Sequence, residues 1–180
     1  MRPHVLAALT IVAFAPAVHA QMASAQAAPA EPAACAAMDQ GLPPELAAWG
    51  SKQPVVAAKG VSEIDKAVLA QGQAYVATLA PTAQVTYPVR PEKPGAAGSN
   101  GGVFAFDVQA AGSYVIALGA GAWIDVLKGD AAQRSVGHGH GPACSTVRKV
   151  VTFDLQPGRH LVQISGGAEP TLPILVAAKP

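Results

Sequence analysis

Apolar and polar positions alternate over short runs through the second half of the chain, which is the pattern of half-buried β-strands. Gly and Pro separate these runs at short intervals, as in a sheet of short antiparallel strands. We therefore predict an all-β fold, a single antiparallel β-sandwich of the jelly-roll or Greek-key type. The predicted strands lie within residues 71–79, 85–87, 103–109, 113–118, 123–128, 147–155, 160–165 and 172–177.

A short helical segment is predicted in front of the sandwich. Leu46 and Trp49 lie three positions apart within residues 42–50, so one helical turn places both side chains on the same inward face. Residues 63–69 also have a composition compatible with a helix. The expected N-terminal part of the domain is therefore short and helical, and the strands follow it.

Two segments of the chain repeat one pattern of strand, glycine turn and strand. Residues 106–118 align with residues 153–164 after one deletion, and His160 then takes the position of Tyr114. Because side chains alternate across a strand, each of these two residues shares a face with the apolar residues two and four positions further on. The repeat predicts that His160 lies where the other copy has a packed aromatic ring.

The first residues of the chain have the features of an export signal. Arg2 precedes an apolar run over residues 5–18, and we predict a signal peptide over residues 1–20. This run is too short for a transmembrane helix, which needs roughly 20 apolar residues. No transmembrane segment is predicted, and the protein is expected to be periplasmic or secreted.

Residues 21–37 are mostly Ala, Pro and Gln, a composition that buries too little apolar surface to offset the entropy lost on ordering. We predict a disordered tether there, followed by the β-sandwich domain over residues 38–180. Removal of the signal peptide leaves eleven Lys and Arg against eleven Asp and Glu. A neutral chain with scattered charges is not expected to bind nucleic acid. The expected partner is a small ligand or another envelope protein.

The chain has two cysteines, Cys35 and Cys144. In an exported protein the simplest expectation is that they form a disulfide. Such a bond ties the start of the folded region to the segment that carries His138 and His140. The alternative is that Cys144 is a free thiolate that binds a metal ion.

Potential metal ligands are concentrated in the glycine-rich segment over residues 137–144. His138 and His140 are separated by one residue, so an extended backbone directs both imidazoles to one side, where they are predicted to bind Zn, Cu or Fe. The alternative is a solvated loop without a ligand. The candidates for a third ligand are His160, Asp125 and Asp154, and for His160 the alternative is packing in the core.

Aromatic side chains suggest a different binding hypothesis. Trp123 begins a predicted strand beside a glycine turn, where it either forms a platform for a sugar ring or fills the core. Residues 91–102, with Gly and Pro at their ends, are predicted to form a mobile loop that covers a site. A carbohydrate-binding module is therefore one alternative for the function.

The last part of the chain resembles the prepeptidase C-terminal domain of bacteria, a secreted β-sandwich. The resemblance covers residues 106–116, 122–127 and 153–160. These residues form turns and strands and include no catalytic motif, so the resemblance implies a fold and an accessory role.

Most of the chain after the signal peptide also resembles small exported proteins of Sphingomonas-like bacteria. The similarity lies in residues 42–49, 91–95, 119–126 and 138–145. Members of that group are sometimes labelled homogentisate 1,2-dioxygenase. The label implies a cupin-type non-haem iron enzyme that acts on an aromatic diol acid.

In a cupin iron site, an acidic residue follows the His-x-His pair within a few positions and a third histidine comes later. The resemblance assigns the histidine roles to His138, His140 and His160, but the next acid after His140 is Asp154. The predicted function is therefore an exported, non-catalytic binding or accessory module that binds a metal ion through His138 and His140. The iron dioxygenase and the carbohydrate-binding module are the alternatives.

Overall fold

The structure, a computed structural model, describes residues Cys35–Pro180. The predicted signal peptide and residues 21–34 of the predicted tether lie outside the described residues. Residues 35–37, which the tether prediction includes, are described. In the part of the chain that is described, no helix is long and apolar enough to span a membrane.

Two β-sheets pack against each other, as the alternating sequence pattern predicts. In the described residues the first sheet has the strand order β1-β2-β11-β5-β9-β8, and the second has the order β3-β4-β10-β6-β7. The all-β sandwich is therefore confirmed. The strands are β1 (Lys52–Val56), β2 (Ala74–Thr78), β3 (Ala80–Pro81), β4 (Asn100–Val108), β5 (Gly112–Leu118), β6 (Trp123–Lys128), β7 (Ala131–Gln133), β8 (Ser135–Gly139), β9 (Lys149–Leu155), β10 (Gly158–Gly167) and β11 (Thr171–Ala178).

One pair of strands departs from the predicted antiparallel arrangement. β1 and β2 run parallel, with Lys52 opposite Ala74 and Val56 opposite Thr78. Parallel neighbours need a long connection. Here that connection contains the 3₁₀ helix Val61–Lys66, which overlaps the second region predicted to be helical, 63–69, only in residues 63–66.

The core lies between the facing sides of the two sheets. Alternate residues of the central strands point inward, and their large apolar side chains are fully or almost fully buried. Complete burial of one such side chain contributes about 1.5–3 kcal/mol. The largest of these inward side chains are Phe104, Phe106, Ile116, Leu118, Leu155, Ile164, Leu172 and Ile174.

Each copy of the predicted internal repeat is a pair of consecutive strands that lie in different sheets. The first copy passes from β4 in the second sheet to β5 in the first, and the second copy passes from β9 in the first sheet to β10 in the second. β4 pairs with β10 and β5 pairs with β9, so Phe106 lies opposite His160 and Tyr114 lies opposite Phe153. His160 is 1% exposed and Tyr114 is 4% exposed. The prediction that His160 takes the place of a packed aromatic ring is confirmed.

A 3₁₀ helix over Pro44–Gly50 covers part of the outer face of the first sheet. Leu46 and Trp49 are buried there against apolar residues of β2, β5 and β11. The indole Nε1 of Trp49 donates a hydrogen bond to Thr146 Oγ1 at 2.8 Å. The short helical segment with these two residues facing inward is confirmed.

The strand predicted over residues 85–87 is wrong. The 3₁₀ helix Thr82–Gln84 precedes this segment, which pairs with no strand among the described residues. It is held by a backbone bond from Thr86 N to the carbonyl of Lys59 at 2.7 Å and by the side chain of Tyr87, whose Oη donates to the carbonyl of Ile164 at 2.8 Å. A Cβ atom at Gly101 would lie 2.1 Å from Tyr87 Oη, so this approach requires a glycine there.

The segment predicted as a loop over residues 91–102 is partly strand, because β4 begins at Asn100. The remainder packs on the outer face of β10. Ser165 Oγ donates to the carbonyl of Lys93 at 2.8 Å, and just before the segment Val89 N donates to Gln163 Oε1 at 3.2 Å. These bonds hold the segment at one side of the sandwich, where it borders the cleft described next.

Candidate functional site

A cleft of about 640 Å³ opens where the edges of the two sheets meet. β8 is the edge strand of the first sheet, β7 is the edge strand of the second, and Arg134 alone connects them. Apolar side chains of β6 and β9 line the cleft, and charged side chains surround them. The lining residues include Glu92, Lys93, Trp123, Ile124, Asp125, Arg134, His138, Lys149, Val151 and Phe153.

Trp123 is the aromatic residue at the mouth of this cleft, and it is partly exposed. It lies two residues from Asp125 on β6, so both side chains leave the same face of the strand. Trp123 Nε1 donates to Asp125 Oδ1 at 2.8 Å, and Glu92 N donates to Asp125 Oδ2 at 3.3 Å. The carboxylate thereby fixes the edge of the indole and ties the neighbouring loop to β6.

Two lysine side chains approach the indole of Trp123. The Nζ atoms of Lys93 and Lys149 lie 4.3 Å and 5.1 Å from the ring centroid, a distance at which a cation is attracted to an aromatic face. Lys149 Nζ also donates to the carbonyl of Ala122 at 2.6 Å. Burial lowers the pKa of Lys149, and the positive charge of Lys93 lowers it further. The two ammonium groups are therefore close enough to repel each other.

No carboxylate neutralises these cations within the described part of the chain. Among those residues, one pair of opposite charges lies within 4.0 Å, and it joins Arg159 to Asp65 at 2.8 Å. Asp125, the carboxylate nearest in sequence to Trp123, is occupied by the two hydrogen bonds described above. The cleft lining holds three cationic side chains and two carboxylates, so it keeps a formal surplus of one positive charge.

The histidine-bearing segment is a strand where the sequence predicts a loop. β8 pairs antiparallel with β9, and His138 lies opposite Val151, with an irregularity in register near Val136. Glycine has little intrinsic preference for a strand, and β8 contains Gly137 and Gly139. Pairing with β9 supplies the hydrogen bonds that hold β8 as a strand. His140 lies one residue beyond the end of β8, and both histidines are exposed.

His138 and His140 border one shallow surface depression of about 470 Å³, which Glu45 also lines. Within the described residues, no three His, Cys, Asp or Glu side chains come together in a way that could hold one metal ion. The remaining candidate ligands are placed elsewhere: His160 lies in the core, Asp125 holds Trp123, and Asp154 accepts a hydrogen bond from Ser113. The residues present do not fit the three-ligand iron site that a cupin dioxygenase requires.

The chain beyond His140 is anchored at several points. Cys35 and Cys144 form a disulfide, and their Cα atoms are 5.4 Å apart. Asp39 N donates to the carbonyl of Cys144 at 2.9 Å, and the Asp39 carboxylate accepts bonds from Thr146 N and Thr146 Oγ1, both at 2.6 Å. The predicted cysteine pairing is therefore present, and it is compatible with an exported protein.

His160 is buried in the sandwich, and this burial affects the pKa of its imidazole. Nδ1 donates to the carbonyl of Gly158 at 3.0 Å, and the imidazole centroid is 5.5 Å from that of Phe106. Nε2 is buried and has no hydrogen-bond partner among the described residues. Burial lowers the pKa of His160, the Gly158 carbonyl raises it, and the charge of Lys128 lowers it. The net shift favours the neutral ring.

This burial predicts that the protein loses stability in mild acid. Below the usual histidine pKa of 6.5 the unfolded chain takes up a proton at His160 and the folded chain does not, so stability decreases as the pH is lowered. The slope from this group reaches at most about 1.4 kcal/mol per pH unit. Urea unfolding of the wild type and of His160→Phe between pH 7.5 and 5 measures it. Equal slopes for the two proteins would show that His160 is not responsible.

Comparison of the chain with protein-family models and with curated proteins finds no match. The resemblances to the prepeptidase C-terminal domain and to the small exported proteins therefore stay predictions. Sequence reasoning identified Trp123 and suggested that the loop after residue 91 covers a site. It did not identify Lys93, Lys149 and Arg134, and no local motif marks them.

Proposed function

We propose that the protein is an exported binding module whose ligand site is the cleft beside Trp123. The observation that supports this most directly is the partly exposed indole, which Asp125 orients and two lysines approach at 4.3 Å and 5.1 Å. An aromatic face fixed in this way offers a ring-shaped ligand a large contact area at little cost in side-chain entropy.

The composition of the cleft is that of a binding site for a small molecule. The partly exposed indole of Trp123 provides apolar contact, and the charged groups that also line the cleft provide orientation. The volume of about 640 Å³ is within the range of small-ligand sites. A mono- or disaccharide or an aromatic compound has the size and shape to occupy it.

The proposed location is the periplasm or the extracellular medium. The Cys35–Cys144 disulfide supports this, since disulfides persist in oxidising compartments. The apolar start of the sequence supports it independently.

A second candidate function is metal binding at the surface through His138 and His140. The observation in its favour is that both side chains border the same depression. Two imidazoles without a third protein ligand are expected to bind Zn²⁺ or Cu²⁺ weakly and to leave positions for water.

Isothermal titration calorimetry with the disulfide-bonded protein tests both candidates. The titrants are neutral and acidic oligosaccharides, aromatic acids, Zn²⁺ and Cu²⁺. If the cleft is the site, Trp123→Ala weakens binding of an organic ligand at least about tenfold, the loss of one aromatic contact. Val56→Ala changes an exposed residue on β1, at the opposite edge of the first sheet, and is expected to have no effect.

The outcomes separate the two candidates. Metal binding that is lost in His138→Ala/His140→Ala and retained in Trp123→Ala would favour the surface metal site. Organic ligands that bind equally to the wild type and to Trp123→Ala, or the absence of binding by every organic titrant, would contradict the proposal for the cleft.

A further inference from the structure

We propose that the ligand of the cleft is a ring compound that carries a carboxylate group, held between Trp123 and the ammonium groups of Lys93 and Lys149. This inference rests on the proposed binding function and specifies its ligand. An acidic sugar and an aromatic acid share the required chemistry, and the experiment below distinguishes them.

The first argument is the unbalanced charge. Lys93, Lys149 and Arg134 all line the cleft, and within the described residues none of them has a carboxylate within 4.0 Å. The two acids of the cleft lining, Glu92 and Asp125, leave a formal surplus of one positive charge. An external anion would relieve the repulsion between the two lysines.

The second argument is the partial burial of this charge. Lys149 is only partly exposed, and its one hydrogen bond, to the carbonyl of Ala122, leaves two of its three N–H groups without a partner among the described residues. A charged donor held away from solvent makes stronger hydrogen bonds to a carboxylate than an exposed lysine does. Lys93 lies on a loop and is exposed, so its flexible stem allows it to turn from the indole towards a ligand.

The third argument is the apolar surface beneath these charges. Trp123 contributes a partly exposed aromatic ring. Ile124, Val151 and Phe153 also line the cleft, but they are core residues with 2–6% exposure, so the indole supplies most of the apolar contact. A free inorganic anion gains nothing from such a surface, whereas a ring attached to the carboxylate buries apolar area on it. The combination favours an anionic ring compound over a neutral sugar or a simple anion.

The experiment measures affinities for matched probes by calorimetry at low ionic strength, with the full disulfide-bonded protein. Digalacturonic acid and 4-hydroxybenzoate are the acidic ring probes, and galactobiose and 4-hydroxybenzyl alcohol are their neutral counterparts. Acetate and inorganic phosphate represent anions without a ring. We expect at least one acidic ring probe to bind at least about tenfold more tightly than its neutral counterpart, the contribution of one charge-assisted hydrogen bond. It should also bind at least about tenfold more tightly than either simple anion, because only the ring buries apolar area against Trp123.

The variants test the role of each lysine. Lys93→Gln removes the charge from an exposed residue and is not expected to disturb folding, and it should weaken the acidic probe about tenfold. Lys149→Gln should weaken it by a similar or larger factor, and Lys149→Arg should retain most of the affinity because it keeps the charge. Lys52→Gln is the matched control, since Lys52 Nζ lies 4.8 Å from the ring of Trp49, the other tryptophan.

Each result supports or overturns the inference. Preference for one acidic probe, lost in Lys93→Gln and kept in Lys52→Gln, supports it and shows whether the ring is a sugar or aromatic. If neutral rings bind as tightly as acidic ones and Trp123→Ala abolishes both, the binding function stands and the acidic ligand is excluded. If acetate or phosphate binds as tightly as the acidic rings, or if none of the six probes binds, the inference is overturned.

Discussion

Replacement of both cysteines by alanine is expected to lower the free energy of unfolding by about 4–5 kcal/mol, the largest single effect that the structure predicts. Cys35 and Cys144 are 109 residues apart in the sequence, so their bond closes about three quarters of the described chain into a loop. A cross-link of this length removes much of the conformational entropy of the unfolded chain. Equilibrium unfolding in urea of the wild type and of Cys35→Ala/Cys144→Ala measures the difference.

The wild type unfolded in the presence of a thiol reductant is the control for this measurement. Its free energy of unfolding should be close to that of the double variant, because both proteins lack the cross-link. They differ only in the two sulfur atoms. A difference of less than about 1 kcal/mol between the oxidised and reduced wild type would contradict the stabilising role given to the disulfide.

Trp49→Ala is expected to destabilise the protein by about 3–5 kcal/mol, the usual cost of removing a buried tryptophan side chain. Trp49 is 0% exposed beneath the 3₁₀ helix Pro44–Gly50, and its indole donates a hydrogen bond to Thr146. The substitution leaves a cavity on the outer face of the first sheet and Thr146 without this donor. The free energy of unfolding in urea is again the quantity measured.

Trp123→Ala provides the matched comparison within the same chain. Trp123 is partly exposed at the mouth of the cleft, so its loss should cost less than half as much stability as the loss of Trp49. Trp123→Ala should lose ligand affinity. Trp49→Ala should bind the ligand about as tightly as the wild type under conditions in which it is folded. Equal destabilisation by both substitutions would show that Trp123 also belongs to the core.

The fold was predictable from the sequence where the hydrophobic pattern and the repeat agreed. The strands β4, β5, β9 and β10 are apolar or alternating runs bounded by glycine turns, and the alignment of Tyr114 with His160 anticipated the burial of this histidine. The segment over residues 85–87 has the same local pattern, yet Tyr87 uses its side chain to contact β10. Local alternation cannot show whether a partner strand is available.

β8 escaped prediction for the opposite reason. Its glycines at positions 137 and 139 are typical of a loop, and its strand conformation depends on pairing with β9, the next strand along the chain. This placement explains why His138 and His140 lie at a sheet edge and His160 lies in the core of the sandwich. The spacing of the histidines alone could not separate these environments.

The cleft could be predicted only in part. Trp123 was identified because it is one of two tryptophans and begins a strand beside a glycine turn. Lys93, Arg134 and Lys149 come from a loop, a strand connection and a strand that are far apart in the sequence. They meet through the order of the strands, and nothing in the residues around each of them indicates that they share a site.

The most direct test of this account is the ¹⁵N-HSQC spectrum of the protein during titration with the tightest-binding organic compound of the calorimetric panel. The two indole N–H resonances are assigned with the Trp123→Phe variant, and Trp49 serves as the internal reference. The account predicts that the resonance of Trp123 shifts and saturates while that of Trp49 stays in place. A shift of Trp49 alone, or of neither resonance at saturating ligand, would show that the cleft beside Trp123 is not the binding site.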